Sequence, residues 1–399
     1  MFNFLDVARQ VAGVAAQAVT KVPVLESKFH VKDRLNGPWP VGPYLWLHGA
    51  SLGECRMLLN LATFLQEDLP ACPKMLITTQ KVEVLSFLQD AGKGKVDAAL
   101  APADTPAAMK NFVEKVQPLG LILAENELWP GYLSTMRSIS TKPSVALVSG
   151  RYYRSLPGID FSAVGFACMQ TGADLSRLLS VVSKSAMSHM MIGGDWKLLP
   201  WVRSGKEVAA PENPTVDTAF ISMHISEWVS LCRMIVSSIK RQESVVLVPR
   251  RLSEVSEFRK ALQDQEIIVV EWPLVQKGAV SIVSQYGLTK DVFATSKSAV
   301  IGGSFGRGLG VHDFWEPLQM GVATCVGPFA RGQKETVSAL IREGVITQLQ
   351  STAGYSRRNM ADTRLVGTFL AHERTKIEDS YHQLLEFLKK LLQTSEGVA

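Results

Sequence analysis

Short apolar runs separated by helix-like stretches recur along this chain in two series, and that recurrence narrows the fold more than any single motif. The first series runs Tyr44 to Leu47, Met75 to Thr78, Ala98 to Leu100, Leu119 to Leu123 and Val145 to Val148. These runs are continuously apolar, as strands buried on both faces are, and strand–helix–strand repetition predicts a parallel sheet covered by helices. A second series follows at Ala219 to Met223, Val245 to Val248, Ile267 to Val270, Ser281 to Val283, Ala299 to Ile301 and Ala323 to Val326. Between the two, Pro200, Pro211 and Pro214 stand among charged and small residues and read as a linker. The last segment places Ile377, Tyr381, Leu384, Leu385, Leu388, Leu391 and Leu392 at helical spacing, a C-terminal helix packing on the body. Ligands of such sheets bind outside the carboxyl ends of the strands, so two facing sheets put a cleft between domains.

A chain of 399 residues is too long for one ordinary core and suits two domains. The expected division is a helical segment at 1–40, an α/β Rossmann-like domain at 41–205, a linker at 206–218, a second Rossmann-like domain at 219–373 and a terminal helix at 374–399. With 46% hydrophobic and 20% charged residues the chain is globular rather than disordered. Lys and Arg total 42 against 37 Asp and Glu, a formal +5, which suits an anionic substrate or membrane surface as well as it suits an ordinary basic protein. The five cysteines form no Cys-x-x-Cys pair and read as reduced residues of a cytoplasmic protein. The histidines show no His-x-x-x-His spacing, so no metal site is predicted, and no cofactor or nucleic-acid partner is expected. Near the N-terminus the apolar residues are interrupted by Asp6, Arg9, Gln10 and Gln17, which argues against a spanning helix. An amphipathic helix on a membrane, with Phe2, Phe4 and Leu5 on one side, and a helix packed on its own domain remain equal readings.

The stretch Ile301-Gly302-Gly303-Ser304-Phe305-Gly306-Arg307-Gly308-Leu309-Gly310 holds five glycines in nine residues directly after a strand. Glycine lets backbone amides approach an anion, and a helix beginning near Phe314 adds its dipole, so the stretch is a phosphate cradle in outline or simply a tight turn. His312 and Glu316 lie four apart and share a face if that helix has begun, with Glu316 then able to hold a ribose diol.

Glu54 follows the first strand in His48-Gly49-Ala50-Ser51-Leu52-Gly53-Glu54, where it reads either as a general base or as the capping-box partner of Ser51. Glu125 and Glu127 follow the strand ending at Leu123, placed for a site or for capping the next helix. Arg250 closes the strand at Val248 and suits bidentate binding of a phosphate or carboxylate; Lys197 and Arg151 hold comparable positions. His224, His48 and His312 are placed to contact a ligand, although a lone histidine is more often structural.

These residues together resemble the Kdo transferases, bacterial enzymes that move 3-deoxy-D-manno-oct-2-ulosonic acid (Kdo) from CMP-Kdo onto a lipid A precursor. The carriers are His48 to Glu54, Asp104-Thr105-Pro106 through Glu125-Asn126-Glu127-Leu128-Trp129-Pro130, Leu247-Val248-Pro249-Arg250, Gly302-Gly303-Ser304-Phe305, and His312-x-x-x-Glu316-Pro317 with Gly327-Pro328 beyond. The resemblance implies a GT-B fold, a metal-independent inverting mechanism in lipopolysaccharide synthesis, and peripheral attachment to the cytoplasmic face of the inner membrane. It maps the catalytic acid onto Glu54 and the nucleotide site onto Arg250, Gly302, Gly303, Ser304 and Glu316. Lys197 and His312 join the expected donor side, and His48, Ser51, Gly53, Glu125, Glu127, Arg151 and His224 line the acceptor side or cleft. The chain departs from the family at Gly310-Val311-His312-Asp313-Phe314-Trp315, where an aspartate brings negative charge toward a phosphate. It also departs at Gln80-Lys81-Val82-Glu83 and at Gly194-Asp195-Trp196-Lys197. The alternatives are a GT-B transferase with another nucleotide-sugar donor and a non-catalytic homologue that binds lipid or nucleotide.

Overall fold

The computed structural model describes residues 30–140, 142–152, 159–182, 189–349 and 363–395. Of the expected N-terminal membrane-associating segment at 1–40, residues 1–29 lie outside the described residues, and Val31–Asn36 form a short helix. The chain divides into two compact units, residues 1–203 with 374–399 and residues 204–373.

In the first unit seven strands form one sheet: β1 Tyr44–His48, β2 Met75–Thr79, β3 Asp97–Leu100, β4 Pro118–Ala124, β5 Val145–Gly150, β6 Val164–Met169 and β7 Met190–Ile192. Their order is β3-β2-β1-β4-β5-β6-β7 and every pairing is parallel. Trp46 in β1 is opposite Leu76 on one side and Leu121 on the other. Its ring packs 4.6 Å from Phe112 and 4.8 Å from Tyr132, both on helices covering the sheet. All three rings are fully buried, which is why the β1 run is apolar without alternation.

The second unit repeats the plan with β8 Thr218–Met223, β9 Val245–Pro249, β10 Ile268–Glu271, β11 Ala279–Ile282, β12 Ser298–Ile301, β13 Ala323–Val326 and β14 Ile346–Gln348, ordered β10-β11-β9-β8-β12-β13-β14. All six neighbouring pairs are parallel. Its core gathers Phe220, Leu231, Leu247, Phe258, Leu262 and Val300 from strands and helices alike.

Three strands, β6, β7 and β14, lie outside the series read from the sequence. β6 and β14 mix glycine, cysteine or glutamine into short runs and β7 has only three residues, so none presents a long apolar signal. Pro200, expected in the linker, instead lies inside the helix Leu199–Arg203. The terminal helix begins at Thr363 rather than 374. Beyond Arg374 it packs on the first sheet, with Phe387 stacked on Phe166 at 6.2 Å and the Tyr381 hydroxyl donating to Asp68 at 2.7 Å.

Both strand orders reverse direction at their first strand. In the first sheet the reversal lies between β1 and β4, in the second between β8 and β12. A crevice at the carboxyl ends of such a pair is where doubly wound sheets bind ligands, because the following loops diverge to opposite faces.

Candidate functional site

At the first switch point β1 runs into the helix Leu52–Asp68 through Ser51. The Ser51 hydroxyl accepts from the Glu54 amide at 3.3 Å, while Glu54 Oε2 accepts from the amides of Ala50 and Ser51 at 2.7 and 3.0 Å. Glu54 therefore is the capping-box residue. Its other oxygen, Oε1, makes no hydrogen bond among the described residues, and the side chain is only half-buried. Capping thus occupies one oxygen and leaves one available for chemistry.

His48 does not line open space: it is 0% exposed. Thr78 Oγ1 meets its Nδ1 at 2.9 Å and also accepts from the Trp46 indole at 2.7 Å, while its Nε2 lies 3.3 Å from Glu127 Oε2. Glu127 also accepts from the Trp129 indole at 2.7 Å. Burial works to raise the Glu127 carboxyl, but His48 and the indole outweigh it and leave the group below the ordinary carboxylate range. His48 is thereby a support for Glu127 rather than a contact surface of its own. Neither Glu125 nor Glu127 caps the next helix, whose N-cap is Trp129 with no side-chain bond.

Glu125 is 1% exposed and holds a left-handed backbone, φ 49°. It receives two cations: Lys197 Nζ at 2.6 Å and the guanidinium of Arg151. A charge buried that deeply stays ionised only when paired, and here the pairing is double. Lys197, expected on the donor side, thus belongs to the first unit, where its Cε lies 3.5 Å from where a side chain on Gly53 would begin. Ser149, at the end of β5, is left-handed as well, φ 52°. Its hydroxyl accepts from the Trp196 amide at 3.1 Å, which ties the Lys197 turn to the strand end. Left-handed non-glycine residues are uncommon and gather where geometry is imposed by tertiary contacts.

At the second switch point the glycine turn is filled from inside. The carboxylate of Glu227, 2% exposed, accepts from the amides of Gly303 and Phe305 at 2.9 Å each and from His224 N at 3.0 Å. Those amides are not open to a phosphate, which corrects the cradle expected from the sequence. Ser304 is corrected too: it is 0% exposed, and its hydroxyl contacts Ile301 O and accepts from Gly327 N at 2.7 Å. A Cβ on Gly302 would stand 2.3 Å from Ser222 O, and one on Gly303, φ +73°, 2.1 Å from Gly310 O. These two glycines serve close packing of backbone on backbone.

The helix after the turn is Trp315–Gln319, five residues long, so His312 precedes it and shares no helix face with Glu316. So short a helix supplies no useful dipole. Asp313 accepts from Trp315 N at 2.8 Å in an Asx turn ahead of the helix, whose N-cap is Phe314, so its carboxylate is engaged locally. His312 instead meets His224, Nε2 to Nε2 at 2.8 Å. Burial, then Arg250, then His224 hold the His312 ring down to about 4, so it is neutral near pH 7. Arg250 N donates to Met223 O at 2.7 Å, and its side chain is exposed with no ion pair among the described residues. A guanidinium with no ion pair among the described residues, close to two imidazoles, is an arrangement suited to an anionic ligand.

Sequence reasoning missed Glu227 and Thr78. The spacing His224-x-x-Glu227 repeats Ser51-x-x-Glu54, and that parallel was the available signal.

Residues 24–190 match the family described as 3-deoxy-D-manno-octulosonic-acid transferase (kdotransferase). A 3-deoxy-D-manno-octulosonic acid transferase from Chlamydia pneumoniae is 24% identical, over 76% of this chain and 73% of its own length. Another, from Aquifex aeolicus, is 24% identical over 89% of this chain and 94% of its own. Among solved structures, Acinetobacter baumannii MurG is similar in fold, with a TM-score of 0.52 over 87% of this chain and 99% of that one at 8% identity. Sequence similarity along both units and a doubled parallel sheet agree: the chain is similar to 3-deoxy-D-manno-octulosonic acid transferases and has a GT-B fold.

Proposed function

We propose that this protein transfers Kdo from CMP-Kdo to a lipid A precursor in lipopolysaccharide synthesis, with inversion and without a divalent cation. Glu54 Oε1 takes the proton of the acceptor hydroxyl. That oxygen attacks the anomeric carbon of Kdo, and the bond from that carbon to the CMP phosphate breaks. The charge that appears on CMP is met by Arg250, with His312 and Glu316 contacting the nucleotide. Lys197 and Arg151, held by Glu125, are fixed cations beside the start of the Glu54 helix for anionic groups of sugar or acceptor.

The observation that carries this reading is the divided carboxylate of Glu54. One oxygen is locked to two backbone amides, which fixes the group, and the other makes no hydrogen bond among the described residues at the switch point of the sheet. A base held this way meets its substrate without reorganising.

The experiment is mass spectrometry of a lipid A precursor incubated with CMP-Kdo and either wild-type protein or Glu54→Ala. Addition of Kdo by the wild type and its loss in the variant support the assignment. Turnover of a UDP-sugar with none of CMP-Kdo rejects the donor; CMP binding with no product from any acceptor supports a non-catalytic role. The proposed location is peripheral, on the cytoplasmic face of the inner membrane. Among the described residues no helix is long and apolar enough to cross a membrane. Sedimentation with anionic liposomes tests attachment, and recovery wholly in the supernatant ends that part of the proposal.

A further inference from the structure

We infer that Glu227 is a positioning residue for the donor nucleotide: its carboxylate sets the register between the ends of β8 and β12 on which His224, His312 and Arg250 depend. This rests on the reading that the carboxyl edge of the second sheet binds CMP-Kdo.

The bonds divide between its oxygens. Oε2 accepts from His224 N, the first residue beyond β8, and from Gly303 N, in the turn beyond β12; Oε1 accepts from Phe305 N. One side chain therefore joins two loops that the topology sends to opposite faces of the sheet. The histidines hang from the same frame. His312 N donates to Gly302 O at 3.1 Å, so its ring follows the glycine turn, while His224 follows β8. Their Nε2 contact at 2.8 Å holds only if turn and strand end keep the spacing that Glu227 imposes. Arg250 enters through Met223 O, adjacent to His224.

An uncharged helix cap would satisfy one or two amides; a carboxylate gathers three in charge-assisted bonds and holds the turn around a fixed internal charge. It is 2% exposed and touches no open space, so it acts through the residues it places. Backbone amides that in other glycine loops face a phosphate are here directed inward. Recognition of the nucleotide phosphate then falls to side chains, Arg250 above all.

The test combines kinetics with amide exchange. In Glu227→Gln one oxygen is replaced by a donor group that opposes a backbone donor. The donor KM is expected to rise about ten- to a hundredfold, the worth of one charge-assisted hydrogen bond, with the acceptor KM within about twofold. Leu262→Ala, a cavity in the same unit's fully buried core, lowers stability without moving the donor KM. In the wild type, hydrogen exchange resolved to single residues should find Gly303 and Phe305 amides protected before nucleotide is added and no more so with CMP. An unchanged donor KM in Glu227→Gln, a donor KM that rises equally in Leu262→Ala, or protection of those amides that appears only with CMP overturns the assignment. Should Glu227→Gln fail to fold, the wild-type exchange result decides alone. A wild type that uses a different nucleotide sugar refutes the donor reading, while amide exchange still reports on Glu227.

Discussion

The Nε2 atoms of His224 and His312 lie 2.8 Å apart, so one ring donates and the other accepts, and a proton added to the accepting nitrogen breaks the contact. Burial and the neighbouring Arg250 and His224 already disfavour that proton on His312, which titrates at about 4 instead of 6.5.

The pH dependence follows from that difference. The unfolded chain takes up a proton at this histidine near pH 6.5, whereas the folded chain waits until about pH 4. Its contribution to stability is complete above pH 6.5 and is lost as the pH falls from there toward 4. Proton NMR of the ring should show His312 neutral at pH 5.5, and His312→Gln should flatten the fall in urea midpoint between pH 7 and pH 5. A ring that titrates near 6.5 contradicts the geometry.

Glu54 has two tasks that two substitutions separate. Glu54→Gln keeps an oxygen for the amides of Ala50 and Ser51 but takes no proton, so kcat should fall by about 10²- to 10⁴-fold with little change in Tm. Glu54→Ala should lose as much activity and about 1 kcal/mol of stability besides, from the missing cap. Full activity in Glu54→Gln would mean that the carboxylate only caps the helix.

Glu125 pairs with both Lys197 and Arg151 from a buried position, leaving the cluster one positive charge in excess. Glu125→Ala removes the shared anion and should destabilise the first unit by about 3 kcal/mol, measured by urea unfolding. Lys197→Ala, which leaves Glu125 with Arg151, should cost less. Equal midpoints for wild type and Glu125→Ala would show the cluster to be well hydrated.

The glycines of the turn differ in what a methyl group would meet. Gly302→Ala drives a Cβ against the backbone at Ser222 and should cost about 1–3 kcal/mol, whereas Gly308→Ala meets nothing within 4 Å and should leave Tm unchanged. Equal Tm values for these two variants would argue against the close approach of β8 and the turn.

Eleven of the strands are legible as apolar runs, because a parallel strand buried on both faces needs an uninterrupted hydrophobic stretch and says so locally. The capping box at Ser51 and Glu54 is equally local, a matter of three-residue spacing. Periodicity also marked the terminal helix from Ile377 onward, though not its start at Thr363.

What residues do once strands are side by side is a different matter. Nothing in the order of letters places Lys197 on Glu125, 72 positions away, or turns the amides of Gly303 and Phe305 inward onto Glu227. The glycine run looked like a cradle because glycine content signals only that the backbone comes close to something. Tertiary packing decided what that something is: Ser222 O, Gly310 O and a buried carboxylate. The sequence by itself determined the doubled parallel α/β plan, since hydrophobic periodicity is set residue by residue. Only the tertiary structure decided which polar groups are held inside and which, like Glu54 Oε1 and the Arg250 side chain, are left to act, because hydrogen-bond partners are chosen across strands distant in the chain.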